Sequence, residues 1–241
     1  MMQFFNIAGL KVQMECTGRT LKQSLPYLCP ACNHPDIILS AQRINQYKES
    51  IRSRYPNTTD DSLDYISSGA LFYRDLLFLG GMMLHSSAVI VDGRAYLFTA
   101  DSGTGKSTHT GLWLKHFSDR AKILNDDKPA IRFENNRWYA YGTPWSGKND
   151  ISLNLRAEIA GIAVLERATE NNIEPFSGIH ALHAILKQIN RPPAMEHRVK
   201  LMELLDKLIT SVPIWKLQCN MDPEAAIVAY EAMSGNKGDL E

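Results

Sequence analysis

The sequence of 241 residues has few cysteines, no excess of either charge and no long hydrophobic run. Four cysteines are too few for the disulfide framework of a small secreted domain. Lys plus Arg number 26 and Asp plus Glu number 26, so the formal net charge is zero. A neutral chain lacks the general electrostatic attraction for nucleic acid or an anionic membrane surface. Neither is therefore an expected partner, whereas self-association into a homo-oligomer remains open.

No apolar run approaches the roughly 20 residues that a membrane-spanning helix needs. The N-terminal segment also lacks the basic head and apolar stretch of a signal peptide, so we expect a cytoplasmic protein. Hydrophobic residues make up 44% of the chain, which is ordinary for a globular protein. The length suits one large domain, or one domain with a small appendage.

Hydrophobic periodicity and turn residues predict an α/β fold with hairpins in it. Residues 1–80 are expected to form a small N-terminal α/β region packed on a core of residues 81–241, together one continuous domain. Within the first region, a helix is predicted from about residue 60, with Asp61 or Ser62 as its cap and Gly80–Gly81 as its end. The core opens with two strands around Asp92–Gly93, a strong signal for a two-residue hairpin turn.

The segment ADSGTGKST, residues 100–108, follows the second strand of this hairpin and precedes a helical pattern. It matches the phosphate-loop pattern of four free positions and then Gly-Lys-Ser, except that Ala100 replaces the first glycine. Glycines let the backbone turn so that N–H groups point at phosphate oxygens, and the helix adds its positive end. The predicted nucleotide-binding residues are Ser102, Gly103, Thr104, Gly105, Lys106, Ser107 and Thr108.

Within this motif, Lys106 is expected to reach the β- and γ-phosphates, and the Ser107 hydroxyl to bind Mg²⁺. ATP and Mg²⁺ are therefore the expected donor and metal. The alternative is a Gly-rich turn before a helix with no ligand, but the strand-to-helix context favours the phosphate loop.

Two acidic residues, Asp126 and Asp127, stand at the end of an apolar strand predicted within AKILNDDKPAIRF. Oxygen ligands suit Mg²⁺ near a nucleotide, and two adjacent carboxylates allow one to bind the metal while the other faces an acceptor hydroxyl. An exposed acidic turn is the alternative.

The segment CPACNH contains Cys29, Cys32 and His34, half of a zinc-site pattern without a second pair. Cys16 could supply a fourth ligand. Loop or core cysteines without metal are the favoured alternative.

The stretch LHSSAVIVDGRAYLFTADSGTGKST, followed by NDD, resembles the superfamily of HPr kinase/phosphorylase and ATP-dependent phosphoenolpyruvate carboxykinase. The resemblance covers residues 84–130 and lies closest to small HPr kinase-like proteins, in which GTPWSGK is also similar. It implies a nucleotide-binding core of that type, with a mixed sheet flanked by helices.

The resemblance also implies roles for individual residues. In the kinase, a residue matching Asp126 deprotonates the acceptor serine, and a histidine matching His85 lies close to it. In the carboxykinase, residues matching His85 and Asp127 lie at the metal. Asp126 is therefore assigned as the base and Asp127 as the metal ligand, although the resemblance leaves the division between them open.

The sequence departs from both enzymes. It is too short for the carboxykinase, and TPWSGKND, residues 143–150, stands where the kinase has its signature glutamate region. In this segment Trp145 could pack against substrate, Gly147 could allow close approach, and Lys148 could neutralise the moving phosphoryl group. An ordinary loop with a packed tryptophan is an equal alternative.

These observations predict an ATP- and Mg²⁺-dependent kinase that phosphorylates a hydroxyl, most simply a serine in a protein or peptide, or a small-molecule alcohol. Asp126, His85, Lys106 and Lys148 are its candidate catalytic residues. The alternatives are a nucleotide-binding regulator without catalysis and a carboxykinase-like phosphotransferase acting on a carboxylate or enolate.

Overall fold

The structure is a computed structural model that describes residues 2–235. In these residues the strands are β1 (Met2–Ile7), β2 (Leu10–Glu15), β3 (Ile37–Leu39), β4 (Gly81–Met83), β5 (Ser86–Val91), β6 (Arg94–Thr99), β7 (Ala121–Asn125), β8 (Ala130–Glu134), β9 (Arg137–Tyr141), β10 (Arg156–Arg167), β11 (Asn172–Pro175) and β12 (Ile214–Cys219). The α-helices are α1 (Gly18–Ser24), α2 (Ala41–Ile51), α3 (Asp60–Leu76), α4 (Lys106–Phe117), α5 (Gly178–Lys187), α6 (Met195–Ser211) and α7 (Glu224–Ser234). The end of the predicted core, 236–241, lies outside the described residues.

The strands form two sheets. The small sheet has the order β1-β2-β3, with β3 parallel to β2. The large sheet has the order β4-β8-β9-β10-β6-β5-β7, and β12 joins it beside β10 and carries β11. Strand β10 is parallel to β6 and β12 and antiparallel to β9. The predicted α/β fold with a mixed sheet flanked by helices is confirmed.

The hairpin predicted around Asp92–Gly93 is also confirmed. Strands β5 and β6 pair antiparallel, and Val91 faces Arg94 across the turn. Asp92 has φ of 50° and Gly93 φ of 78°. Positive φ at both central residues is the two-residue turn whose twist matches that of paired strands. This turn fixes the register of β6, the strand that leads into the Gly-rich segment.

The cap predicted for helix α3 is wrong by a few residues. Thr59, in extended conformation, is the N-cap, and its hydroxyl accepts a hydrogen bond from the Ser62 main-chain N–H at 3.3 Å. Asp61 and Ser62 lie within the first turn, where an acidic residue is favourable beside the positive helix end. The α-helix ends at Leu76, before the predicted end, and a 3₁₀ turn, Leu77–Leu79, continues to Gly80, which takes a left-handed conformation with φ of 76°.

The N-terminal region contacts the large sheet through a shared hydrophobic cluster. The cluster includes Phe5 from β1 and Phe72 from α3, together with Tyr141 at the end of β9 and Trp145 beyond it. Helix α3 approaches Trp145 closely at Gly69, where a Cβ atom would lie 2.8 Å from the indole Cδ1. The two parts therefore share one core here, and the division at residue 80 stays a prediction.

Candidate active site

The predicted site residues follow or precede strands that meet at one edge of the large sheet. Strands β6 and β7 are each antiparallel to β5 and so run in the same direction, and β10 is parallel to β6. Their carboxyl ends therefore lie at the edge where β5 begins. In open α/β sheets, ligands bind outside the carboxyl ends of strands. The Gly-rich segment follows β6, the Asp126–Asp127 pair follows β7, and His85 precedes β5.

The segment 100–105, named the glycine loop here, connects β6 to α4. Gly103 has φ of 80° and Gly105 has φ of 121°, conformations that side chains rarely adopt. A Cβ atom at either glycine would meet no atom within 4 Å, so the backbone here faces open space. Helix α4 begins at Lys106 without a side-chain cap. The N–H groups of its first turn are therefore available to an anionic ligand.

Lys106 folds back onto the glycine loop. Its side chain is buried, and Nζ donates a hydrogen bond to the main-chain oxygen of Ala100 at 2.9 Å. Burial lowers the pKa of Lys106, while the negative charges of Asp127 and Asp101 act in the opposite direction. The ammonium group thus lies within electrostatic reach of Asp127. By contrast, Ser102, Ser107 and Thr108 are exposed to solvent.

The two carboxylate oxygens of Asp127 contact two different side chains. Its Oδ1 lies 3.0 Å from His85 Nε2, and its Oδ2 lies 2.8 Å from Lys128 Nζ. Burial alone would raise the pKa of Asp127, but the hydrogen bond from His85 and the charge of Lys128 hold it well below the usual range. Asp127 is therefore ionised at neutral pH.

Asp126 has a different environment from its neighbour. It is 8% exposed, and its Oδ1 accepts the Gly147 main-chain N–H at 2.6 Å. Burial raises the pKa of Asp126, the Gly147 hydrogen bond opposes this, and the charge of Asp127 adds to it. The two adjacent carboxylates thus have pKa values shifted in opposite directions, an arrangement that separates acid–base roles in enzymes.

Asn125, which sequence reasoning missed, shapes the turn that carries both carboxylates. It is fully buried, and its Oδ1 accepts the main-chain N–H groups of Asp127 at 3.0 Å and Lys128 at 2.7 Å. Its Nδ2 donates to the main-chain oxygen of Trp145 at 3.0 Å and to Ser152 Oγ at 3.1 Å. Asparagine before a turn is the signal that could have found it, because its side chain often bonds main-chain groups two residues on.

Residues 142–155, named the Trp145 loop here, connect β9 to β10. Trp145 is 1% exposed, stacks on Phe72 with ring centroids 4.8 Å apart, and donates its indole N–H to Ser68 Oγ at 3.1 Å. Of the two equal alternatives for Trp145, the structure therefore supports the packed tryptophan. Its ring fills the space between the loop and α3. A local sequence pattern does not indicate packing of this kind.

The remaining residues of the Trp145 loop reach the surface. Lys148 is exposed immediately after Gly147, whose N–H binds Asp126. Asp150 accepts a hydrogen bond from Arg19 Nη2 at 2.5 Å, and the Arg19 guanidinium lies 4.1 Å from the centre of the Tyr65 ring. Residues of the N-terminal region thus support the outer part of this loop.

A cleft of about 530 Å³ adjoins the glycine loop. It is bounded by residues 100–104 of the loop, the end of β10 at 164–167, Phe176, and the last turn of α5. Arg167 donates to the main-chain oxygens of Gly103 and of Thr104, the latter at 3.0 Å. Sequence reasoning missed Arg167 because more than sixty residues separate it from the loop that it contacts.

The CPACNH segment shows no metal cluster. Cys29, Cys32 and His34 lie on a partly exposed loop, and nowhere in residues 2–235 do three His, Cys, Asp or Glu side chains form a group that could hold a metal ion. Cys16, the candidate fourth ligand, is buried in the N-terminal core, and burial raises its pKa to about 11.

Comparison with known proteins adds little to this geometry. No protein-family model matches the chain, and no curated protein matches it in sequence. The solved structure of the Hpr(Ser) kinase/phosphatase from Coxiella burnetii is similar at 13% identity, with a TM-score of 0.36 over 63% of this chain and 95% of that chain. This likeness is distant, and the assignment below rests on the residues of the site.

No helix within residues 2–235 has the length and apolar character to cross a membrane.

Proposed function

We propose that this protein is an ATP- and Mg²⁺-dependent kinase that transfers the γ-phosphoryl group to a hydroxyl, most simply a serine in a protein or peptide, or a small-molecule alcohol. The observation that carries the proposal is the meeting of the glycine loop and Lys106 with the Asp126–Asp127 pair at one edge of the sheet. A phosphate cradle beside two carboxylates in different environments is what phosphoryl transfer to a hydroxyl requires. The setting is the cytoplasm.

The glycine loop suits the phosphates of a nucleotide. Its main chain faces open space at Gly103 and Gly105, and the uncapped N-terminus of α4 follows. In the bound state Lys106 exchanges its hydrogen bond to Ala100 for phosphate oxygens. The adjoining cleft of about 530 Å³ has the size of a small-ligand pocket and takes the nucleoside.

The donor atoms available at the site fit Mg²⁺, which binds carboxylate and hydroxyl oxygens. Asp127 and Ser107 would hold it, and Asp127 is the better carboxylate because it stays ionised. His85 and Lys128 contact the two oxygens of Asp127, so Lys128, the more exposed partner, would have to leave Oδ2 for Asp127 to hold a metal. Bound Mg²⁺ supplies positive charge next to the phosphates.

Asp126 acts as the general base. As the acceptor oxygen bonds to the γ-phosphorus, the bond from that phosphorus to the bridging oxygen of ADP breaks, and Asp126 takes the hydroxyl proton. The Gly147 N–H orients the carboxylate through Oδ1. Burial and the neighbouring charge of Asp127 raise its pKa, which makes it a stronger base than an exposed aspartate. His85 lies on the Asp127 side and holds that carboxylate in place.

A regulator that binds nucleotide without transfer is the second candidate. It is favoured by one observation, namely that His85 and Lys128 already satisfy both oxygens of Asp127. A carboxylate with this role would stabilise the fold and leave no ligand for the metal.

The test is incubation with γ-labelled ATP, Mg²⁺ and a peptide or metabolite extract, followed by mass spectrometry for a phosphate mass shift. Transfer that Asp126→Asn reduces by about 10²–10⁴-fold, with nearly unchanged ATP affinity, supports the kinase. ATP binding without transfer to any acceptor supports the regulator.

The two carboxylates are distinguished by their dependence on metal. Asp127→Asn should raise the Mg²⁺ concentration needed for half-maximal transfer, whereas excess Mg²⁺ should not rescue Asp126→Asn. Single-turnover transfer measured for both variants across Mg²⁺ concentrations decides between them. The opposite pattern would show that their roles are exchanged.

A further inference from the structure

Gln188 lies directly after helix α5 and is 7% exposed. It is 103 residues from His85 in the sequence, and no motif pointed to it. Its main-chain oxygen accepts the main-chain N–H of His85 at 2.8 Å, which fixes the residue against the start of β5. Its side chain then extends between the His85 ring and the glycine loop.

The two ends of the Gln188 carboxamide contact different groups. Its Nε2 donates to Asp101 Oδ1 at 3.1 Å, and its Oε1 lies 3.2 Å from His85 Nδ1. Asp101 belongs to the glycine loop, whereas His85 contacts Asp127 through its other ring nitrogen at 3.0 Å. A continuous series of three hydrogen bonds therefore joins the glycine loop to the candidate metal ligand.

The orientation of the carboxamide follows from the chemistry of its partners. An ionised carboxylate only accepts hydrogen bonds, so Asp101 must face the NH₂ end of Gln188. The oxygen end then faces His85, and an oxygen only accepts, so His85 Nδ1 carries a proton toward it. The His85 ring is thereby fixed with Nε2 toward Asp127. A side chain that hydrogen-bonds to a site residue in this way commonly sets the orientation of a histidine or carboxylate at a reactive site.

We propose that Gln188 is a positioning residue that joins the glycine loop to the His85–Asp127 pair. The part of this inference that concerns turnover rests on the kinase function proposed above, whereas the part that concerns the orientation of His85 does not. Gln188 also lines the cleft beside the glycine loop that would take the nucleoside. Its loss should therefore reduce both turnover and nucleotide affinity, and the orientation of His85 is the readout that is specific to a positioning role.

The first experiment removes the hydrogen bond between residues 188 and 101 and then restores it with donor and acceptor exchanged. Gln188→Glu places a carboxylate against Asp101, so neither side chain can donate, and turnover should fall on the order of tenfold or more. Combining it with Asp101→Asn restores a donor and an acceptor in exchanged positions. The double variant should recover turnover to within about threefold of the parent, because the two changes are coupled. A purely space-filling role for Gln188 predicts no such recovery.

The second experiment observes His85 without any activity. Long-range ¹H–¹⁵N correlation spectra of the free protein report which ring nitrogen carries a proton, and a spectrum of His85→Ala identifies the His85 signals. The parent should show a protonated Nδ1, and Gln188→Leu, which offers Nδ1 no acceptor, should change that signal. Gln188→Glu keeps an acceptor oxygen toward Nδ1 and should keep that nitrogen protonated. The control is His183→Ala, which removes an exposed histidine of helix α5, and it should leave the His85 signals unchanged.

The two readouts separate this inference from the kinase proposal. If the His85 signals follow the pattern above but the parent transfers phosphate to no acceptor, the kinase proposal fails and the positioning role stands. If Gln188→Leu leaves the His85 signals unchanged, or if the double variant has only the turnover of Gln188→Glu, the positioning role is overturned.

Discussion

The glycine loop and the Trp145 loop both contribute to the candidate site, but different contacts hold them. At Gly103 and Gly105 the glycine loop faces open space, and glycine is favoured at both positions only because their φ angles are positive. The Trp145 loop is buried along residues 142–146 and fixed by the Trp145 ring and the side chain of Asn125. The first loop is open to a ligand, whereas the second is a rigid support for Asp126.

This difference indicates how the two loops divide the work. Binding of an anion needs unpaired N–H groups, which an open loop at a helix start supplies. Orientation of a base needs a support that does not move, which a packed loop supplies. Substitutions in the first loop should therefore alter function with little effect on stability, and substitutions in the second should alter both.

The largest effect is expected from the open loop. Lys106→Ala removes the cation that the proposed function places nearest the phosphates and should lower transfer on the order of 10²–10³-fold, with weaker nucleotide binding. Transfer rate and nucleotide affinity are measured together, with Lys115→Ala, an exposed lysine on the same helix, as the control. Transfer at the parent rate in Lys106→Ala would show that the glycine loop does not hold the phosphates.

The packed loop should respond in both stability and activity. In Gly147→Ala the new Cβ would lie 2.9 Å from Asp126 Oδ2, so the carboxylate must move. We expect a loss of about 1–3 kcal/mol in unfolding free energy, together with reduced transfer. Denaturant unfolding and single-turnover assays measure the two effects.

The matched control is Gly111→Ala in helix α4, where a Cβ atom meets nothing within 4 Å. Alanine favours a helix over glycine, so this variant should be as stable as the parent or more stable by up to about 1 kcal/mol. If both glycine variants behave alike, the close approach at Gly147 has no consequence.

A smaller effect is expected at the exposed end of the Trp145 loop. Lys148→Ala should lower turnover about tenfold and leave ATP affinity nearly unchanged, because a charge used only during transfer does not contribute to ground-state binding. The measurement is turnover at saturating acceptor, beside Lys122→Ala as a control at an exposed strand position. Unchanged turnover would remove Lys148 from the site.

The smallest effect concerns the stability cost of Asp126. Because its pKa in the folded protein lies above the ordinary value of 3.8, the ionised carboxylate destabilises the fold above that raised pKa. Asp126→Asn keeps an acceptor for the Gly147 N–H and should raise Tm at pH 7.

The stability gain at position 126 should depend on pH in one direction. As pH falls below 3.8, the parent carboxyl is protonated in both folded and unfolded chains, and the difference in Tm should disappear. Melting curves of parent and variant from pH 3 to pH 7 measure it. If the variant instead melted below the parent at pH 7, the surroundings of Asp126 would stabilise its ionised carboxylate.

Much of the architecture could be predicted from sequence because its signals are local. The Asp92–Gly93 turn, the glycines before α4 and the acidic pair after an apolar strand each lie within a few residues of the structure that they specify. The cap of α3 was misplaced by a few residues, since several polar residues in a row can each serve as a cap. The sequence left the role of Trp145 open because its burial depends on α3, far away in the chain.

The sequence alone determined the α/β pattern, the strand-to-helix position of the glycine loop and the presence of adjacent carboxylates. Dihedral preferences and hydrophobic periodicity act over a few residues, so the sequence predicts these features without knowledge of the tertiary structure. Only the tertiary structure decided that Asp127 contacts His85, that Gly147 binds Asp126, and that Gln188 joins His85 to Asp101. Those contacts determine the charge, burial and orientation of each group, and they arise when strands distant in sequence end at one edge of a sheet.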